Sequence, residues 1–109
     1  MALSVSDILD PMLKAAEQSL AKDWGKAKDY ANPEFQKLAT SLVDISVLIA
    51  KKTVNKQQAN ALLNIHKNTT QMVLLAIEGL GIIAVENAIN AALKAVSDTV
   101  NKAVGFTLI

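Results

Sequence analysis

The chain has 109 residues and a net charge of +1, with hydrophobic residues making up 51% of it and charged residues 19%. We expect residues 1–109 to form a single domain around one modest core, with more apolar surface than that core can bury. All 11 cationic residues are lysines and there is no cysteine. These absences argue against arginine-based recognition of nucleic acids, and they remove disulfides, thiolate catalysis and zinc–thiolate sites.

The first predicted helix covers about residues 5–31. Its apolar residues recur at three- and four-residue spacing, which is the period of a helix with one buried face. Trp24 lies on this apolar stripe, so we expect it to anchor the core or an interface. The start of the chain lacks the basic stretch of a secretory signal, and we therefore expect a cytoplasmic protein.

Two signals compete for the start of this helix. Ser4 followed by Asp7 has the form of a capping box. Asp10 before Pro11 has the form of an N-cap followed by proline at the first helical position. A short turn from Ser4, followed by the main helix from Pro11, satisfies both signals.

The second predicted helix covers about residues 33–53. Asn32-Pro33-Glu34 supplies a cap, a proline at the first helical position and an acid in the first turn. We therefore expect a break between Ala31 and Asn32. The apolar stripe of this helix follows the same three- and four-residue spacing: Phe35, Leu38, Leu42, Ile45 and Ile49.

A third predicted helical segment covers about residues 56–104. Asn55 with Gln58 three residues later has the form of a capping box, which predicts its start. Gly105 fits a C-cap and predicts its end, leaving a short apolar tail. The segment forms either one long helix or an antiparallel hairpin.

Gly79 and Gly81 decide between these two alternatives. Each glycine inside a helix costs about 1 kcal/mol relative to alanine, and burial of the apolar turns on both sides can offset that cost. The flanking residues are apolar, whereas an exposed loop is usually polar. We therefore expect one helix, continuous or kinked at residues 78–81, with both glycines acting as a hinge or a close-packing point.

The last part of this segment has two apolar faces. Bulky residues form one face and alanines form the other: Ile82, Val85, Ile89 and Leu93, then Ala84, Ala88, Ala91 and Ala95. The remaining side is polar, which a membrane span would not need. We predict that both faces, together with Trp24, form the interface with neighbouring helices, including those of a second copy.

Few residues suggest catalysis or metal binding. His66 is the single histidine, and its nearest carboxylate in sequence belongs to Glu78, so a metal site would need acids from other segments. Glu78 and Glu86 would lie roughly 12 Å apart on one continuous helix, too far to act as a pair within one chain, although two copies could bring them together across a symmetry axis. We predict no enzymatic activity and no cofactor, since no catalytic or phosphate-binding motif is present. A local group of lysines could meet an acidic partner or lipid headgroups: Lys51, Lys52, Lys56 and Lys67.

The middle of the chain carries three characteristic blocks: Val54-Asn55-Lys56-Gln57-Gln58-Ala59-Asn60, Thr69-Thr70-Gln71 and Val73-Leu74-Leu75-Ala76-Ile77. They resemble the glutamine-rich centre of R-body (killing-trait) subunits, small bacterial proteins that polymerise into coiled ribbons. The chain departs from that family in having more polar residues between the blocks and no alanine- and glutamine-rich flanks. The resemblance implies self-assembly and assigns a role to no particular residue.

The sequence therefore predicts an all-α fold of three or four helices, the last one or two long and amphipathic, packed in a helical bundle or a larger assembly. We expect a non-enzymatic structural subunit that associates with itself as a homo-oligomer or polymer. Two alternatives remain open at this point. One is a helical adaptor, chaperone or phage-type accessory protein that binds another helical protein, and the other is a membrane-active helical protein. Nucleic acid is not an expected partner.

Overall fold

The computed structural model describes residues 3–109, so the first two residues of the predicted domain lie outside the described part. Within residues 3–109 the chain is 82% helical and has no strands. A short 3-10 turn, Ala21–Asp23, separates the first two helices. The α-helices in chain order are α1 (Val5–Leu20), α2 (Trp24–Ala50), α3 (Lys56–Leu75), α4 (Ile82–Ala95) and α5 (Ser97–Val104).

The helices form an antiparallel bundle. α1 packs against α2 and α4, and α3 packs against the same two helices. Consecutive helices joined by short connections and packed side by side must run in opposite directions. α5 follows α4 after a kink at Val96 and contacts α2. The result is a bundle of 42 × 22 × 19 Å, which confirms the predicted all-α class and the helical bundle.

The core runs along the axis of the bundle, and every α-helix contributes to it. α1 buries Ile8, Met12, Ala16 and Leu20 at intervals of four residues, which is the pattern of a helix with one inward face. The predicted stripe of α2 also points inward. The largest fully buried side chains come from all five helices and from the kink at Val96: Ile8, Met12, Phe35, Leu38, Leu42, Ile45, Leu74, Val85, Val96 and Val100.

The predicted break between Ala31 and Asn32 is wrong, since α2 continues through Pro33. Proline inside a helix costs roughly 3 kcal/mol, because it removes one hydrogen bond and crowds the preceding turn. Pro33 and Asp29, whose carbonyl loses its helical donor, both lie on the exposed side of α2, where water can satisfy that carbonyl. Ala27, Ala31 and Phe35 on the opposite side are fully buried, and their packing keeps the helix continuous across the proline.

The chain instead reverses at Ala21, which has a φ of 51°. A non-glycine residue held in such a sparsely populated backbone conformation costs roughly 1–3 kcal/mol, and neither glycine nor proline marks the position in the sequence. The preceding residue, Leu20, is buried at the end of α1, and Trp24 packs partly buried against the core at the start of α2. Burial of apolar residues on both sides therefore stabilises a turn that local sequence does not signal.

The local signals at the helix ends have mixed outcomes. The proposed two-part start of the first helix is wrong, because α1 runs unbroken from Val5 through Pro11. The backbone N–H of Ser4 donates to the Asp7 carboxylate at 3.3 Å, as the predicted capping box of Ser4 and Asp7 requires. At the start of α3, Asn55 and Gln58 exchange side chain to backbone hydrogen bonds of 2.8 and 2.9 Å, which confirms the predicted capping box. Gly105 adopts a left-handed C-cap.

The predicted continuous helix over residues 56–104 is also wrong. α3 ends at Leu75, the chain reverses over residues 76–81, and α4 returns beside α3. The apolar residues that argued against a loop are buried in this turn: Ile77 is 8% exposed and Leu80 is 7% exposed. The turn is apolar because it covers the end of the core, and a hairpin is therefore compatible with apolar flanks.

The two glycines serve this turn in different ways. Gly79 has a φ of 90°, a conformation that favours glycine. Gly81 is the N-cap of α4 in an extended conformation, and an added Cβ there meets no atom of the described residues within 4 Å. Gly79 therefore supplies the positive φ of the turn between α3 and α4, and close packing is not the reason for a glycine at position 81.

Candidate self-association surface

The predicted interface residues of α4 lie mainly inside the chain. Val85, Ala88, Ile89 and Leu93 are buried in the core of the single bundle. A second copy cannot reach them in this fold, so their predicted role between copies is corrected to packing within the chain. Among the other predicted residues, Ala84, Ala91 and Trp24 are partly buried, while Ile82 and Ala95 are exposed.

The two apolar faces of α4 have neighbours within the same chain, namely α1 and α3. Glu86, Ile89 and Asn90 line the groove between α3 and α4. By helical position, the alanine stripe lies on the flank of α4 away from that groove, and its members range from the buried Ala88 to the exposed Ala95. Small side chains allow two helices to approach closely, and α1 with α4 is the most extensively packed pair of helices in residues 3–109.

Large apolar side chains remain exposed elsewhere. Within residues 3–109 they are Tyr30, Val47, Ile65, Met72, Ile82 and Ile83. Four of these six belong to the hairpin of α3 and α4. Ile65 is 59% exposed and Met72 is 72% exposed, and they lie seven residues apart, which places them on one side of α3. Both point away from the core, whose largest side chains the bundle already buries.

Beyond Lys56 at its first position, the exposed side of α3 carries no charge. Across residues 57–75, all of which the structure describes, every exposed residue is apolar or neutral polar. These residues define the α3 outer face: Gln57, Gln58, Ala61, Asn64, Ile65, Asn68, Thr69 and Met72. By contrast, α1, α2 and the segment of α4 and α5 each expose both lysines and acids. An ordinary solvated helix face carries charges, so the α3 outer face is the unusual surface of this bundle.

Two grooves border the α3 outer face. On the side of α2, His66 lines a groove with Pro33, Gln36 and Thr40. On the side of α4, Lys67 lines a groove with Asn90 and other polar residues. The charged or titratable side chains of residues 57–75 therefore lie half-buried at the edges of the outer face, and its centre is free of them.

The structure separates the residues that might have formed a chemical site. Among residues 3–109, no three histidine or acidic side chains come together as metal ligands would. Glu78 lies in the turn and Glu86 lies on α4, so the spacing expected on one continuous helix does not apply. Lys51 and Lys52 lie in the connection before α3, whereas Lys67 lies in the groove beside α4. The predicted group of lysines is therefore divided.

Asn101 has a structural role that the sequence did not reveal. Its side-chain oxygen accepts hydrogen bonds from the backbone N–H groups of Leu108 and Ile109, at 2.8 and 3.1 Å. Its amide nitrogen donates to the carbonyl of Ile109 at 3.0 Å. These bonds fold the apolar tail back, and the Lys56 ammonium lies 5.5 Å from the centroid of the Phe106 ring. By sequence, Asn101 was one of several residues on a polar strip.

Comparison with protein-family models, curated proteins and solved structures gives no match to this chain. The resemblance to R-body subunits stays a prediction. Across the described residues, no helix has the combination of length and apolar character needed to traverse a bilayer.

Proposed function

We propose that this protein is a non-enzymatic structural subunit that associates with copies of itself. The observation that carries the proposal is the α3 outer face, an uncharged helix surface that leaves Ile65 and Met72 largely exposed. Apolar side chains exposed together on one side of a folded domain commonly mark a contact with another protein. The bundle already covers its own core, so the occupant of this face must come from outside the chain.

The chemistry of the α3 outer face supports a second copy as that occupant. Its polar residues are amides and one hydroxyl, and each of these groups can both donate and accept hydrogen bonds. Such a face is complementary to an identical face, because no charge meets a like charge across the contact. A face rich in lysine or in acids would require a partner of opposite charge.

Sedimentation equilibrium of the wild-type chain across the micromolar range tests the proposal. We expect the average mass to rise with concentration above that of one chain. The two alternative functions give different results: an adaptor for another protein stays a monomer, and a membrane-active protein sediments with liposomes. A monomer at every concentration refutes the proposal, whether or not liposomes bind it.

A further inference from the structure

Five exposed residues of α3 follow one line along the helix. Gln58, Ala61, Ile65, Asn68 and Met72 are separated by three, four, three and four residues, and all are exposed. This is the spacing at which two helices supercoil around each other and interlock side chains along a shared line. We name these five residues the α3 seam. The buried residues of α3 lie on the opposite side, so the seam is unoccupied by the chain's own helices.

We propose that a second copy docks on the α3 seam with its own α3 parallel and in register. This inference rests on the proposed function and adds to it the orientation of the two copies. In this arrangement each seam residue meets its own counterpart in the second copy. Ile65 then contacts Ile65, Met72 contacts Met72, and the Asn68 amides can hydrogen-bond to each other.

An antiparallel arrangement matches the same residues less well. Two helices in opposite directions pair positions from the two ends of the seam, which sets Asn68 against Ala61 and Met72 against Gln58. The Asn68 amide would then lose water to an apolar neighbour without gaining a hydrogen-bond partner, which is unfavourable. The parallel arrangement keeps amides with amides and apolar side chains with apolar side chains.

The residues beside the seam are compatible with a parallel pair. Asn64 and Thr69 flank it on opposite sides, and both are exposed and uncharged. Flanking residues of a parallel pair meet across the contact and often set the choice of partner by charge. Neutral polar flanks bring no like charges together when the two chains are identical. A β-branched residue at the position of Ile65 also favours two-stranded pairing.

Cysteine cross-linking tests the orientation directly, because the chain has no cysteine of its own. Gln58→Cys and Met72→Cys each introduce one thiol at an exposed position. The two positions lie roughly 21 Å apart along α3, whereas a disulfide requires Cα atoms within about 7 Å. In a parallel pair, each variant alone should form a disulfide-linked dimer under mild oxidation. Gln18→Cys, which replaces an exposed glutamine of α1, is the matched control and should cross-link only at the collisional rate.

The results separate this inference from the proposed function. Cross-linking of each α3 variant alone, well above the rate of Gln18→Cys, supports the parallel seam. Cross-linking that appears only when Gln58→Cys and Met72→Cys are mixed overturns the inference in favour of an antiparallel pair. If the wild type associates in sedimentation but neither α3 variant exceeds the control, alone or mixed, the inference fails and the proposed function survives. A wild type that stays monomeric refutes both.

Discussion

Replacement of Ile65 by lysine should weaken self-association while leaving the bundle folded. Full burial of an isoleucine side chain contributes roughly 1.5–3 kcal/mol, and Ile65 is still 59% exposed in the single chain. A contact over it therefore recovers about 1–2 kcal/mol per copy, or about 2–4 kcal/mol for two copies. Lysine can turn its ammonium towards water, so we add no cost for a buried charge and expect only the loss of the isoleucine burial energy. It corresponds to a roughly 30- to 700-fold weaker association.

Sedimentation equilibrium measures this change, and thermal unfolding followed by circular dichroism checks that the variant is folded. Val47→Lys is the matched control, because Val47 is 42% exposed on α2 and lies outside the α3 outer face. We expect the control to associate like the wild type and both variants to unfold within a few degrees of it. Equal association of Ile65→Lys and wild type would refute the role of the α3 outer face. Equal weakening by both substitutions would show a general effect of added charge.

Four further predictions concern single residues. Gly79→Ala should lower the free energy of unfolding by roughly 1–2 kcal/mol, because its φ is positive. Gly81→Ala should change the free energy of unfolding by less than about 1 kcal/mol, because the reduced entropy of the unfolded chain offsets the loss of a favourable N-cap. Urea unfolding of the two glycine variants measures the difference. Asn101→Ala removes three hydrogen bonds to the tail and should cost roughly 1–3 kcal/mol in the same assay, whereas Asn87→Ala at an exposed site of α4 should cost less. Asn68→Ile should tighten association and allow antiparallel as well as parallel pairing, because it removes the buried amide that prefers its own counterpart. The mixed cysteine pair should then also cross-link; weaker association would contradict the seam.

Local rules predicted the helix ends that depend on local hydrogen bonds. Asn55 with Gln58 marked the start of α3, and Gly105 marked a left-handed C-cap, because those signals act within a few residues. The turn at Ala21 could not be found in the same way, since it depends on packing between helices distant in sequence. The break predicted from Pro33 was wrong because packing between helices outweighs this local signal. Its local cost is real, but burial on the other side of α2 exceeds it.

The α3 outer face could be predicted only in part from the sequence. The sequence shows that no acid lies between Lys56 and Glu78, and the blocks that resemble R-body subunits overlap this segment. It did not show which apolar residues stay exposed, because Leu63 and Ile65 are equally apolar and only the bundle buries the first. Of the alanine stripe only Ala88 is fully buried, and Ala95 is exposed. The main neighbour of α4 is α1 of the same chain, a contact that follows from topology and cannot be deduced from spacing.

The pairing of α1 with α4 has a consequence for the order in which the protein folds during synthesis. α2 and α3 are adjacent in the chain and can pair as soon as both have left the ribosome. The most extensive contact of α1 can form only after α4 has been synthesised. α4 begins more than 60 residues after α1 ends. Closing so long a loop is slow compared with forming local hairpins. The inward face of α1 therefore lacks its main neighbour until late in synthesis, although Ile8, Met12, Ala16 and Leu20 are buried in the finished bundle.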